Sequence, residues 1–125
     1  MIKSYTDIEQ SKKLAEILPL ESADMVYIKH SSSDNPDWRF DNDIPPMVLG
    51  KISINELTVK ALPCWSPAAL LSVLTENKIC HYDDRYYCQY INEGSEFPVY
   101  STAEYDNPVD ACVAMVEKLH EFKVL

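Results

Sequence analysis

The stretch PCWSPAALLSVL, residues 63 to 74, constrains this chain more than any other. Ser66 is placed to cap a helix with its hydroxyl, and Pro67 takes the first helical position, where no backbone N–H is needed. Ala68, Ala69, Leu70, Leu71, Val73 and Leu74 then leave Ser72 as the polar exception, so the spacing predicts a helix covered on nearly all sides. Such a segment organises a core; it carries no chemistry of its own.

Around that core the chain has 125 residues, enough for one packed interior, and a single domain over 1–125 is expected. The composition, 46% hydrophobic and 25% charged, is that of a folded protein, and no apolar run approaches the roughly 20 residues of a membrane helix. MIKSYTDIEQ at the start lacks the apolar stretch of a signal peptide, so a cytoplasmic location is expected.

Two further helices are written out. Thr6 with Glu9 forms a capping box, Asp7 suits the positive end of a helix dipole, and a helix should begin near Asp7. Ile8, Ser11, Leu14, Ala15 and Leu18 fall on one side of it, and Pro19 stops it. Near the other end, Asn107 is the cap, Pro108 the first helical residue and Asp110 the acid at the third position. Val109, Cys112, Val113, Met115, Val116 and Leu119 make its apolar stripe, with Lys118, His120 and Lys123 at its negative end.

Between the helices the pattern turns to strands. Met25 to Ile28, Met47 to Ile54, Leu57 to Leu62 with Pro63 closing it, Ile79 to Tyr82, Arg85 to Ile91 and Phe97 to Ser101 all have apolar or β-branched character. Residues 31 to 46 break all periodicity and read as a long loop, which Trp38 and Phe40 are candidates to pin onto the body. The expected fold is α+β, an antiparallel sheet of about four or five strands with three helices packed mainly on one face.

Charge excludes some functions. The formal net charge is −9, and residues 83 to 110 together with 34 to 43 account for the whole excess. Such a surface repels phosphate, so direct binding to nucleic acid is not expected; the acids either solvate the surface or meet a basic protein partner. A membrane partner is not expected either.

Cys64, Cys80, Cys88 and Cys112 lack the spacing of a zinc knuckle. Whether Cys80 and Cys88 converge depends on the hairpin between them: a two-residue turn at Asp83 and Asp84 sets Cys80 opposite Tyr87, a three-residue loop sets it opposite Cys88. Cys64, just before a helix N-terminus, is the best placed nucleophile, but His30, His81 and His120 are all distant in sequence. Glu117 and His120 have the spacing of carboxylate-bridged di-iron bundles without the other ligands such a site needs. Asp34, Asp37, Asp41 and Asp43 lack the glycine of a calcium loop. No metal, cofactor or catalytic residue is assigned.

The densest remaining signal is aromatic. Tyrosine offers contact area at low entropic cost. Trp38, Tyr82, Tyr86, Tyr87, Tyr90 and Tyr100, with the acids Glu93 and Glu96, are therefore the candidate binding residues. The plainer alternative is that alternate tyrosines cover a sheet face.

Three blocks, TDIEQSKKLAEILPLESADM at 6 to 25, PCWSPAALLSVL and NPVDACVAMVEKLHE at 107 to 121, cover 47 of the 125 residues. They resemble a family of small uncharacterised proteins of gut bacteria and their mobile or phage-like elements. The resemblance implies a context and brings no activity or ligand with it. Together these readings point to a non-enzymatic accessory protein, a protein–protein interaction module of such an element. The competing reading is a small enzyme or ligand-binding protein using Cys64 and a histidine.

Overall fold

Each helix starts where a side chain satisfies its free N–H groups, and the partners differ in one case from those the sequence points to. The computed structural model describes residues 3–30, 39–41, 59–75, 77–91 and 98–125. Helix α1 spans Ile8–Ile17, and its capping box is one residue later than expected. Asp7 Oδ1 accepts from the Gln10 N–H at 2.8 Å, and Gln10 Oε1 accepts from the Asp7 N–H at 3.1 Å. Thr6 is unavailable as a cap because its hydroxyl is buried and accepts from the Trp65 N–H at 3.1 Å. Ser11, Leu14 and Leu18 face inward as expected, whereas Ala15 is exposed and Ile17 is the further residue that meets the core.

A 3-10 turn, Leu20–Ser22, leads into β1, Met25–His30. Strand β2, Arg39–Asp41, lies within the expected loop and pairs antiparallel with β1. Phe40 pins it, stacking on Tyr5 with ring centroids 4.0 Å apart and meeting Tyr27 edge-on. On the other side of β1 runs β3, Val59–Cys64, also antiparallel. Pro63 does not close this strand but sits inside it, opposite Val26. Among the described residues β3 lies at the edge of its sheet, a position that tolerates a residue without an N–H. The expected strand at 47–54 lies outside the described residues.

Helix α2, Pro67–Val73, is capped by Ser66, whose Oγ accepts from the Ala69 N–H at 3.2 Å. Asp24 fixes the cap in turn, accepting from both the N–H and the hydroxyl of Ser66. The helix is less enclosed than its apolarity predicts. Ala69, Leu70 and Leu74 are buried, but Ala68 and Ser72, one turn apart, are exposed. Small side chains there suit an open cleft between α2 and residues 21–24.

Strands β4, Asn77–Tyr82, and β5, Arg85–Ile91, form a hairpin through a two-residue turn. Asp83 and Asp84 adopt φ of 51° and 62°, the left-handed pair that a type I′ turn requires. Strand β6, Pro98–Ser101, completes the order β4-β5-β6. Helix α3, Pro108–Glu121, is capped by Asn107, whose Oδ1 accepts from the Asp110 N–H at 2.8 Å. Past its end Lys123 takes φ 64°, and the Val124 N–H returns to the Leu119 carbonyl at 2.8 Å.

The fold is α+β with three α-helices, as expected, but the strands are divided. Instead of one sheet of four or five strands, the described residues form two antiparallel sheets of three strands, β2-β1-β3 and β4-β5-β6. The chain leaves β3 directly for α2 and the helices separate the sheets: α1 packs on β3, α3 packs on β5, and α3 also touches α1 and α2. Trp65, Leu14, Leu70, Met115, Val109 and Val116 are fully buried where these helices meet. Burial of each such aliphatic side chain contributes about 1.5–3 kcal/mol, which offsets the entropy of ordering short elements.

Candidate interaction surface

Alternation along the hairpin divides the candidate tyrosines between two faces. Tyr86, Cys88 and Tyr90 of β5 face α3, together with Ile79 of β4 and Tyr100 of β6. Tyr86 stacks on His81 across the strands at 4.3 Å, and its backbone exchanges two 2.7 Å hydrogen bonds with Tyr105. Tyr90 is paired with Tyr100, whose ring meets Phe122 edge-on at 5.9 Å. Lys118 Nζ lies 5.2 Å from the Phe122 centroid and 5.8 Å from that of Tyr100. These three candidates, Tyr86, Tyr90 and Tyr100, are half-buried packing residues.

Tyr82 and Tyr87 belong to the opposite face. Tyr82, at the hairpin end, is 72% exposed. Tyr87 lies opposite Cys80, and a hydrogen bond between the two raises the Tyr87 phenol above its ordinary value. Lys78, Gln89, Ile91, Ser101 and the 57% exposed Val99 continue the same face. Among the described residues it is exposed or half-buried throughout. Its charge is mixed, with Lys78 and Arg85 beside Asp83, Asp84 and Glu104; Arg85 Nη2 donates to the Glu104 carbonyl at 3.1 Å. Trp38, Glu93 and Glu96 lie outside the described residues.

The two-residue turn also decides the cysteines. Cys80 is on the outer face, and Cys88 is buried against α3. There a hydrogen bond between the Cys88 and Cys112 thiols lowers the first and raises the second. Cys64 is fully buried, its thiol donating to the Thr6 carbonyl at 3.4 Å and accepting from the Thr6 hydroxyl at 3.6 Å. Burial pushes this thiol up, against the pull of those hydrogen bonds, and the Tyr27 hydroxyl donates to the same Thr6 carbonyl at 2.7 Å. The thiol is thus part of a polar knot joining the start of α1 to the end of β3, an arrangement that withdraws it from substrate.

A second polar knot had no signal in local spacing. Lys3 Nζ is 2.9 Å from both Asp7 and Asp110, so the starts of α1 and α3 share one cation. Gln10 Nε2 adds a 2.8 Å bond to Asp110. Burial alone would raise both carboxyls, but hydrogen bonds from Gln10 and Lys3 to Asp7, and from Asn107, Lys3 and Gln10 to Asp110, hold them below the ordinary range. Burial would lower Lys3, and the two carboxylates raise it instead. The adjoining α1–α3 cleft, about 320 Å³, is lined by these engaged acids with Lys13 and Glu117. Glu117 and His120 line a neighbouring open cleft. Among the described residues, no three His, Cys, Asp or Glu side chains are gathered to hold a metal ion, and no helix is long and apolar enough to cross a membrane.

The outer face was legible as an alternative within CHYDDRYYCQYI, since a two-residue turn puts Cys80 and Tyr87 together. Ile91 and Val99 carried no distinguishing mark. Compared with protein-family models, curated proteins and solved structures, the chain matches none.

Proposed function

We propose that this chain is a non-enzymatic accessory protein that binds another protein through the outer face of the β4-β5-β6 sheet. The observation that carries this reading is the division of the tyrosines: Tyr86, Tyr90 and Tyr100 serve the core, while Tyr82 and Tyr87 stand on the other face with Ile91 and Val99. Amphipathic rings beside exposed aliphatic groups and a few charges have the composition of an interface centre. The acidic turn Asp83–Asp84 and the chain's net charge of −9 favour a partner with basic residues at its rim and disfavour nucleic acid. Trp38, Glu93 and Glu96 belong to the proposal by sequence. The three-block resemblance supports an interference or regulatory role in a mobile or phage-like element.

Affinity capture from the native cell tests this. A partner should be retained by the wild type and lost with Tyr82→Ala combined with Tyr87→Ala, while Glu16→Ala on exposed α1 retains it. Equal capture by all three proteins would remove the outer face from consideration.

A further inference from the structure

Four strand edges terminate the two sheets among the described residues, and three of them discourage a further strand. Strand β2 has three described residues. Strand β3 carries Pro63, and β6 begins at Pro98 and meets β5 with a register shift at Tyr90 and Ile91. Short edges, prolines and irregular registers are the usual protections against edge-to-edge pairing. Strand β4 has neither proline nor irregularity: all six of its residues, Asn77 to Tyr82, pair in unbroken register with β5. In a hairpin closed by a two-residue turn, the peptide groups of Tyr82, Cys80 and Lys78 point to the partner strand. Those of Asn77, Ile79 and His81 point outward.

We propose that this edge pairs with β4 of a second copy of the chain, antiparallel, about a two-fold axis normal to the sheet. The occupant follows from charge. Strand β4 is basic at its start, Lys78, and acidic just past its end, Asp83 and Asp84. Antiparallel self-pairing therefore sets the basic start of each copy against the acidic end of the other, whereas parallel pairing would set like against like. Lys78 alone would discourage a neutral strand; here it is answered. A two-fold axis normal to the sheet keeps α3 of both copies on one side. It also requires that opposed residue numbers sum to an even value, because directly opposed side chains share a face.

Among the even registers that pair five residues of each β4, the one centred on Cys80 best satisfies the charges. It opposes Lys78 with Tyr82 of the second copy, next to that copy's acidic turn, so the ammonium meets a ring and carboxylates together. Cys80 then opposes its own counterpart, and Ile79 and His81 exchange backbone hydrogen bonds across the axis. The result is a continuous six-stranded sheet in order β6-β5-β4-β4-β5-β6. Its outer face doubles the Tyr82 and Tyr87 surface, but the pairing stands independently of any other partner. Six residues of edge form a small interface, so the dimer dissociates on dilution.

The test combines sedimentation with thiol cross-linking on the full chain. Cys64, Cys88 and Cys112 are fully buried and Cys80 is half-buried, so a short bismaleimide reports on Cys80 in the native protein. Expected are a monomer–dimer equilibrium and a cross-linked dimer that Cys80→Ser abolishes. Lys78→Glu, an exposed position, should weaken dimerisation roughly tenfold with an unchanged circular dichroism spectrum. A protein that sediments as a monomer up to about 1 mM would overturn the proposal. So would a dimer that forms equally with Lys78→Glu and escapes cross-linking through Cys80.

Discussion

Tyr86 and Tyr87 are neighbours in the chain and occupy opposite faces of β5, and the two faces use tyrosine differently. On the inner face Tyr86, Tyr90 and Tyr100 lie against α3, where their rings close the rim of a core built from Cys88, Cys112, Met115 and Val116. On the outer face Tyr87 touches Cys80 and Tyr82 stands in solvent. The difference teaches that residue type alone did not mark the surface. A two-residue turn at Asp83 and Asp84 sets the parity of every position on the hairpin, and parity assigns each ring to packing or to recognition.

The largest effect should come from the layer beneath the inner face. Met115→Ala, at a fully buried site, should cost about 3 kcal/mol, read from urea denaturation. Tyr90→Ala should cost about 2 kcal/mol, because the ring is half-buried and leaves a partly solvated gap. Tyr82→Ala should change stability by less than about 0.5 kcal/mol. Equal losses at Tyr90 and Tyr82 would break the distinction between the faces.

Acid stability supplies a contrast remote from both. Asp7 and Asp110 have carboxyls depressed below 3.8 in the folded chain, so their contribution is complete above that pH and is lost as pH falls through the depressed values. Lys3, raised above 10.5, contributes fully below that pH and loses its share as pH rises through its folded value. The urea midpoint should therefore fall on acidification below about pH 4, and Lys3→Met should flatten that fall. An unchanged slope would detach the Lys3 bridge from stability. A small gain is expected in the turn itself: Asp83→Asn with Asp84→Gly should add about 0.5 kcal/mol by easing two left-handed residues while leaving the parity intact.

Where a local device determined structure, the sequence was informative. Ser66-Pro67 and Asn107-Pro108 start α2 and α3 as read, because cap and first turn are contiguous. The apolar stripe of α3 is buried as its spacing indicates. Long-range demands account for the departures. Thr6 has the chemistry of a cap, yet the Trp65 N–H, distant in sequence, takes its hydroxyl and shifts the box to Asp7 and Gln10. Pro63 stays within β3, which among the described residues is an edge, a property of the sheet rather than of the residue. The division into two sheets depends likewise on helix contacts that no local pattern states. As to the candidate surface, the sequence groups Tyr82 and Tyr87 with Tyr86, Tyr90 and Tyr100, because the register that separates them depends on a loop length that an Asp-Asp pair leaves open.

The most direct measurement is calorimetric titration of the captured partner against three proteins: the wild type, Tyr87→Ala and Tyr90→Phe. The account predicts at least roughly tenfold weaker binding for Tyr87→Ala with an unchanged melting temperature, and wild-type affinity for Tyr90→Phe. Wild-type affinity with Tyr87→Ala would contradict it.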